Sequence, residues 1–323
     1  MPKIWEHNRW YSLGRPYVDL CTRESFGIIQ TEGELPSSGA VIIAPNHTNT
    51  LLDALMVLQT RKAPTVFGAR ADIFRKPTAN KILRFLRILP MTRERDGLRA
   101  VTDNYKTFDE IDDVLAYGVP FCLFPEGRHT PGRTLQPIQK GVARIAFRSA
   151  AQRQTWVVPT GINYGDFFHF RRNVHIKYGE PMDVNAFLAQ HADLSEAEQY
   201  QAFRDQLYER ISALVWPEAP SGNLPLWQRI LLFPFWLVAA VLSFPLWLPA
   251  EILCSKLKDK AFCNSARLLV RLLLWPIVGI FWAVLLFCLL PWWLALLLLL
   301  FYIPSYSIFY EWLNVSTAVP SRH

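Results

Sequence analysis

From Leu272 to Phe301 the chain carries no charged side chain. An α-helix rises about 1.5 Å per residue, so a run of this length outreaches the roughly 30 Å hydrocarbon core of a bilayer. Pro276 and Pro291 interrupt the run, and with its flanks it suffices for two short spans. A second apolar stretch, Ile230–Leu248, contains a single serine and is broken by Pro234 and Pro245. A soluble protein would have to bury such segments in a large domain, and too little chain is left around them to build one. Residues 221–323 are therefore expected to form a membrane-embedded helical region.

The remaining composition narrows the partners. The 323 residues are 51% hydrophobic and carry a formal net charge of +7. Residues 1–220 hold 27 Lys and Arg against 24 Asp and Glu, and residues 221–323 hold 7 against 3. The excess is dispersed, which argues against nucleic acid and for an anionic membrane surface. Five scattered cysteines (Cys21, Cys122, Cys254, Cys263, Cys288) form no C-x-x-C pair and no disulfide framework, which suits a reducing compartment. The opening residues, Met1 to His7, lack the apolar core of a signal peptide, so the part before the membrane region is expected on the cytoplasmic face. There is no glycine-rich nucleotide loop and no metal-ligand spacing, and neither metal nor cofactor is expected.

Before residue 220, short apolar runs alternate with helix-patterned segments. Val41–Ala44, Thr65–Gly68, Phe121–Phe124 and Trp156–Pro159 read as buried strands. Residues 51–60, 78–88, 102–116, 138–151 and 194–214 read as helices, the last with Ser195 as its N-cap. This alternation predicts an α/β domain, residues 1–220, with a mostly parallel central sheet flanked by helices. The Pro- and Gly-bearing segment Trp216–Asn223 reads as the linker to the tail.

The reactive candidates lie in this first domain. His47 follows the strand Val41–Ala44, where sites of open α/β sheets commonly lie, and Asp53 stands six positions on. A histidine is suited to take a proton near neutral pH, and a carboxylate on its other nitrogen fixes the tautomer. Competing with that role, Thr50-x-x-Asp53 has the form of a helix capping box, and a lone histidine often serves as a hydrogen-bonded loop residue. Downstream, Phe124-Pro125-Glu126-Gly127-Arg128-His129 ends a strand in a turn where glycine permits close backbone approach. Arg128, Arg133 and Lys140 follow within a short span and suit a phosphate, although Arg133 and Lys140 also read as solvated loop charges and Glu126 as a structural carboxylate. Arg70, in Gly68–Phe74, is a further phosphate candidate, and Arg93 and Arg95 lie in Pro90–Gly97. Ile82, Leu83, Phe85, Leu86 and Ile88, interleaved with Lys81, Arg84 and Arg87, read equally as a basic interfacial helix or as ordinary core packing. Trp5, Trp10, Tyr11 and Tyr17 suit a membrane-proximal N-terminus.

Taken in order, His47…Asp53, Gly68–Phe74, Phe124–His129 and Val157–Ile162 resemble the glycerolipid acyltransferase superfamily over roughly residues 25–185. The resemblance implies that His47 and Asp53 are catalytic and that the Glu126-Gly127 block binds the acceptor. It implies that Val157–Ile162 helps form the acyl-donor site. The implied reaction is O-acyl transfer from acyl-CoA or acyl carrier protein to a lysophosphatidate or related glycerol phosphate lipid. The family's usual spacing leaves four residues between His and Asp. Here five intervene, as in the branch that contains glycerol-3-phosphate and dihydroxyacetone-phosphate acyltransferases, so that acceptor class stays open. A lipid esterase and a non-enzymatic membrane scaffold are the other readings. On all of them the tail is expected to govern location rather than chemistry. Its topology poses a puzzle: Lys256, Lys258, Lys260 and Arg267 favour the cytoplasmic side, yet a single crossing at 230–248 would part them from the first domain.

Overall fold

The computed structural model of the chain describes residues 3–61, 63–92, 98–165, 170–216 and 226–316. Its centre is an eight-stranded sheet: β1 (Ile29–Glu32), β2 (Ala40–Pro45), β3 (Val66–Arg70), β4 (Ile88–Met91), β5 (Phe121–Cys122), β6 (Thr155–Tyr164), β7 (Val174–Tyr178) and β8 (Met182–Asp183). The order is β1-β7-β6-β2-β5-β3-β4, with β8 also on β6. Five of the seven pairings are parallel, and only β7 and β8 run antiparallel to β6. The expected mostly parallel sheet is thus present.

Around it lie α1 (Arg9–Ser25), α2 (Leu51–Gln59), α3 (Pro77–Phe85), α4 (Leu98–Ala116), α5 (Lys140–Ala150), α6 (Val184–Gln190) and α7 (Glu196–Ser212). All six residues of β2 are buried, and its side chains alternate between two cores, as the two-residue period of a strand requires. Ile42 and Ala44 join Ile111, Val142, Ile145 and Phe203 beneath α4, α5 and α7. Val41 and Ile43 join Leu52, Met56, Val158 and Ile162 beneath α1 and α2.

The expected strands and helices all appear, most of them within a few residues of their expected bounds. The helix expected over 78–88 is cut short because Arg87 adopts φ 62°, a left-handed turn that starts β4. Ser195 caps α7 as expected, its N–H donating to Glu198 at 2.9 Å. On α3, Arg84 pairs with Glu110 and Arg87 is buried against the carbonyl of Glu6. Ile82, Phe85 and Leu86 are exposed on this segment beside the exposed Lys81, while Arg84 and Arg87 are drawn back onto the protein. Trp10 and Leu13 of α1 are both 70% exposed. Residues 93–97, with Arg93 and Arg95, and all of the expected linker 216–223 except Trp216 lie outside the described residues.

The tail forms α8 (Leu226–Lys256), α9 (Cys263–Leu289) and α10 (Trp292–Ser316). Extended backbone at Leu290, followed by Pro291, divides the charge-free run into two helices. Among the described residues, three helices are long and apolar enough to cross a bilayer: Ile230–Lys256, Lys260–Leu289 and Trp292–Leu313. Their polar groups turn inward. Trp282 Nε1 donates to the carbonyl of Leu242, Tyr302 to that of Trp275, and Arg267 pairs with Glu251. Arg271 is fully buried between Trp275 and Tyr306 and donates to Ser307 at 2.9 Å. Inward-facing polar groups are what a lipid-exposed bundle requires. Leu246, Leu268, Tyr306 and Phe309 of this bundle belong to the same core as Val41, Ile43 and Ile162. One face of the sheet is thus completed by the tail.

Candidate active site

The loop after β2 is tied to the sheet by Asn46. Its side chain donates to the carbonyl of Ile162 at 3.1 Å and accepts the Ile162 N–H at 2.6 Å, while its backbone N–H reaches Thr160. This fixes where the chain leaves the carboxyl ends of the parallel strands, the usual position for a site in such a sheet. His47 follows, its ring stacked on Phe124 at 4.2 Å between centroids. The His47 carbonyl accepts the N–H of Thr130.

Asp53 sits in the first turn of α2 and is fully buried. Its Oδ2 accepts from His47 Nδ1 and from the backbone N–H groups of Thr48 and Asn49, each at 2.8 Å. Its Oδ1 accepts from the hydroxyl of Tyr164 at 2.7 Å. Four donors on one buried carboxylate offset its desolvation and hold it as an acceptor. The His47 proton therefore lies on Nδ1, and Nε2 presents a lone pair. Burial beside this charge pushes the Tyr164 hydroxyl well above its ordinary pKa, so it stays a donor.

The expected capping box does not form: Thr50 makes no side-chain cap, and Asp53 instead accepts the N–H groups of Thr48 and Asn49. Thr50 holds φ 52°, a conformation that costs a β-branched residue about 1–3 kcal/mol. Its Oγ1 is hydrogen-bonded to Ser265 of α9 at 2.7 Å. One carboxylate thus both ties down the backbone of Thr48 and Asn49 and pairs with His47.

Glu126 links the two motif loops. Its Oε1 accepts the His47 N–H at 2.5 Å and its Oε2 the Gln136 N–H at 2.8 Å. Burial raises its pKa to about 7, with these two donors and the nearby His47 pulling the other way. Gly127, at φ 66°, makes the turn that returns the chain beneath Glu126.

The phosphate candidates are spread out. Arg128 is exposed and donates to Gln136, and Lys140 is exposed at the start of α5. Arg133 donates to the carbonyl of Tyr164 at 2.8 Å, bracing the strand that carries the Asp53 partner. Arg70 is exposed and forms an ion pair with Asp72 beyond β3. The structure therefore joins His47, Asp53 and Glu126 directly, sets Arg128 beside them, and gives Arg133 and Arg70 protein partners.

Several participants were not singled out from sequence. Tyr164 lies 111 residues from Asp53 on another strand, which no local pattern announces. His129 stands edge-on to His47 at 5.9 Å and pairs with Asp259 of the tail at 3.0 Å. The Asn49 side chain is buried, and among the described residues neither of its amide atoms has a hydrogen-bond partner. Only its place between His47 and Asp53 hinted at it.

Residues 28–163, from the approach to β1 nearly to the end of β6, match the acyltransferase family profile. Over 86 residues the chain is 36% identical to glycerol-3-phosphate O-acyltransferase 2 of Saccharomyces cerevisiae. Over 131 residues it is 25% identical to an uncharacterized acyltransferase of Schizosaccharomyces pombe. These stretches cover 26% and 36% of this chain but 12% and 19% of those proteins, so the chain spans less than a fifth of either. The crystal structure of the 1-acyl-sn-glycerophosphate acyltransferase PlsC from Thermotoga maritima superposes with a TM-score of 0.45 at 21% identity, over 65% of this chain and 86% of that one. The motif loops that meet at His47, Asp53 and Glu126 lie within residues 28–163, and over that region the chain resembles the acyltransferase family.

Proposed function

We propose that the protein transfers a fatty acyl chain from acyl-CoA or acyl carrier protein to the free hydroxyl of lysophosphatidate, a step of phospholipid synthesis, from the cytoplasmic face of its membrane. The observation that carries this reading is the His47–Asp53 pair, with Nδ1 committed to the carboxylate and Nε2 left as a base. His47 Nε2 takes the acceptor hydroxyl proton as the oxygen attacks the thioester carbonyl. The tetrahedral intermediate collapses, the C–S bond breaks, and the imidazolium returns the proton to the departing thiolate. Asp53 steadies the transient imidazolium and keeps its ring in place. The Asn49 amide, buried and unspent two residues from His47, is the donor assigned here to the oxyanion. Arg128 and Lys140 are the exposed cations assigned to the acceptor phosphate. Direct transfer of this kind needs no covalent enzyme intermediate.

A second acceptor reading has its own support. The extra residue between His47 and Asp53, and the similarity to a protein named as a glycerol-3-phosphate acyltransferase, favour glycerol-3-phosphate or dihydroxyacetone phosphate. An acceptor panel with purified protein and labelled acyl-CoA separates the two. Lysophosphatidate consumed at a kcat/KM well above that for glycerol-3-phosphate supports the first reading, and the reverse order the second. Acyl release at equal rates with and without any acceptor would identify an esterase instead.

A further inference from the structure

The short segment joining α8 to α9 reaches into the site just described. It begins at Asp259, whose Oδ1 caps the N–H of Ala261 at 2.9 Å, while Lys260 Nζ donates to the carbonyl of Cys254 at 2.9 Å. A single 3₁₀ turn, Lys260–Phe262, leads into α9. From this small, internally braced segment two contacts leave in different directions. Asp259 Oδ2 meets His129 Nε2 at 3.0 Å, and the Phe262 ring stands edge-on to the same histidine at 4.9 Å. One turn later, Ser265 meets the Thr50 hydroxyl at 2.7 Å, with both residues buried.

The two targets belong to different catalytic loops. Thr50 heads the helix that carries Asp53 and holds the positive φ there. His129 follows Glu126-Gly127 and faces the His47 ring. The loops are already cross-linked by Glu126 and by the Thr130 N–H to the His47 carbonyl. The α8–α9 segment adds an outer clamp that spans both.

We infer that residues Asp259–Ser265 are a positioning element of the active site, through which docking of the membrane helices sets the His47–Asp53 geometry. This rests on the acyl-transfer reading of that pair. Asp259, Phe262 and Ser265 act through His129 and Thr50, and the proton and acyl movements remain those assigned to His47. An unusual backbone conformation persists only where its surroundings hold it. At Thr50 one of those surroundings is a hydroxyl on a membrane helix. Small displacements of a catalytic base lower turnover steeply, by up to about 100-fold for roughly 1 Å. The tail then couples membrane placement to catalytic competence, and the expectation that it governs location alone changes accordingly.

The test uses full-length protein in lipid nanodiscs with short-chain, water-soluble substrates, so that substrate delivery from the bilayer does not enter. Ser265→Ala and Asp259→Asn are each expected to lower kcat about tenfold with KM for donor and acceptor within twofold of wild type. Thr50→Ser, which keeps the hydroxyl, should stay near wild type. Asp259→Asn combined with His129→Gln should be no slower than the slower single variant, since both remove one contact. Without substrate, amide hydrogen exchange over residues 48–58 should quicken in Ser265→Ala while exchange in α5 and α7 stays as in wild type. Turnover of both single variants within twofold of wild type would overturn the inference. So would exchange that rises equally across the whole domain, which would make Ser265 a contributor to global stability. A wild-type protein that only hydrolyses the thioester would sink the transfer reading, and the same variants would still test the clamp on hydrolysis rate and exchange.

Discussion

At the scale of single residues, the buried carboxylate of Asp53 serves both as backbone cap and as partner of His47. Two substitutions separate those services. Asp53→Asn keeps a polar group but loses the charge that steadies an imidazolium, whereas Thr50→Ala loses a hydroxyl that caps nothing within α2. Activity should fall much further in Asp53→Asn than in Thr50→Ala, and equal mild losses in steady-state assays would count against the pairing. His47→Ala should remove about 10²- to 10⁴-fold of turnover with the fold retained by circular dichroism. Glu126 makes a pH prediction. Its folded pKa of about 7 lies above its ordinary 4.5, so the folded state holds the proton more tightly than the unfolded chain. Its favourable contribution is full below pH 4.5 and is lost as pH rises through about 7. Relative to Glu126→Gln, whose amide does not titrate, wild type should therefore lose stability across that window, by at most about 3 kcal/mol. Guanidinium midpoints for both proteins between pH 4.5 and 7.5 measure this, and parallel curves would refute it.

At the scale of elements, β6 is the organising strand. It pairs with β2, β7 and β8, supplies Tyr164 to Asp53, and receives the Asn46 side chain at Ile162. Its outer contact is the end of α7: Asn163 donates to the carbonyl of Leu214 and accepts the Trp216 N–H. Gly161 lies under that same turn. A Cβ there would stand 2.7 Å from the Leu214 oxygen and 2.8 Å from its Cβ, so backbone has to move. Gly161→Ala should cost about 1–3 kcal/mol, read as a lowered denaturant midpoint. Because Tyr164 follows three residues on, activity should decline with stability, and an unchanged midpoint would show that the turn yields freely.

At the scale of the whole molecule, the tail combines helices long and apolar enough to cross a membrane with side chains that share a core with the sheet. Full-length protein should resist extraction by high salt or alkali and require detergent, because apolar burial in lipid is not screened by ions. Release by salt alone would show that the tail helices do not span. Truncation after Trp216 would uncover the face formed by Ile43, Met56, Ile162 and Phe170, which the tail shares, as well as removing Ser265 and Asp259. The shortened chain should therefore aggregate or lose activity even on soluble substrates, as size-exclusion chromatography and turnover would reveal. The turn bearing Lys258 and Lys260 is docked on the motif loops, which puts those lysines close to the sheet domain in the folded chain.

The alternation of apolar runs with helical segments was enough to indicate a parallel α/β sheet, because strands buried on both faces must be apolar throughout. The charge-free run likewise implied a membrane region from length alone, and the ordered motifs identified His47, Asp53 and Glu126. Tertiary structure alone decided what surrounds them. Tyr164 reaches Asp53 across 111 residues, and Ser265 reaches Thr50 across 215. The edge strand β1 is largely exposed and its neighbour β7 alternates buried with half-buried positions, so neither carries the unbroken apolar run of the sheet's centre and neither was read. Arg133 reads as a free cation in sequence, yet its choice of a backbone carbonyl depends on where the Tyr164 strand ends. Local patterns record which faces must avoid water. Partners set by chain crossings leave no periodic trace, and so the tail's hold on the active site is visible only in the folded chain.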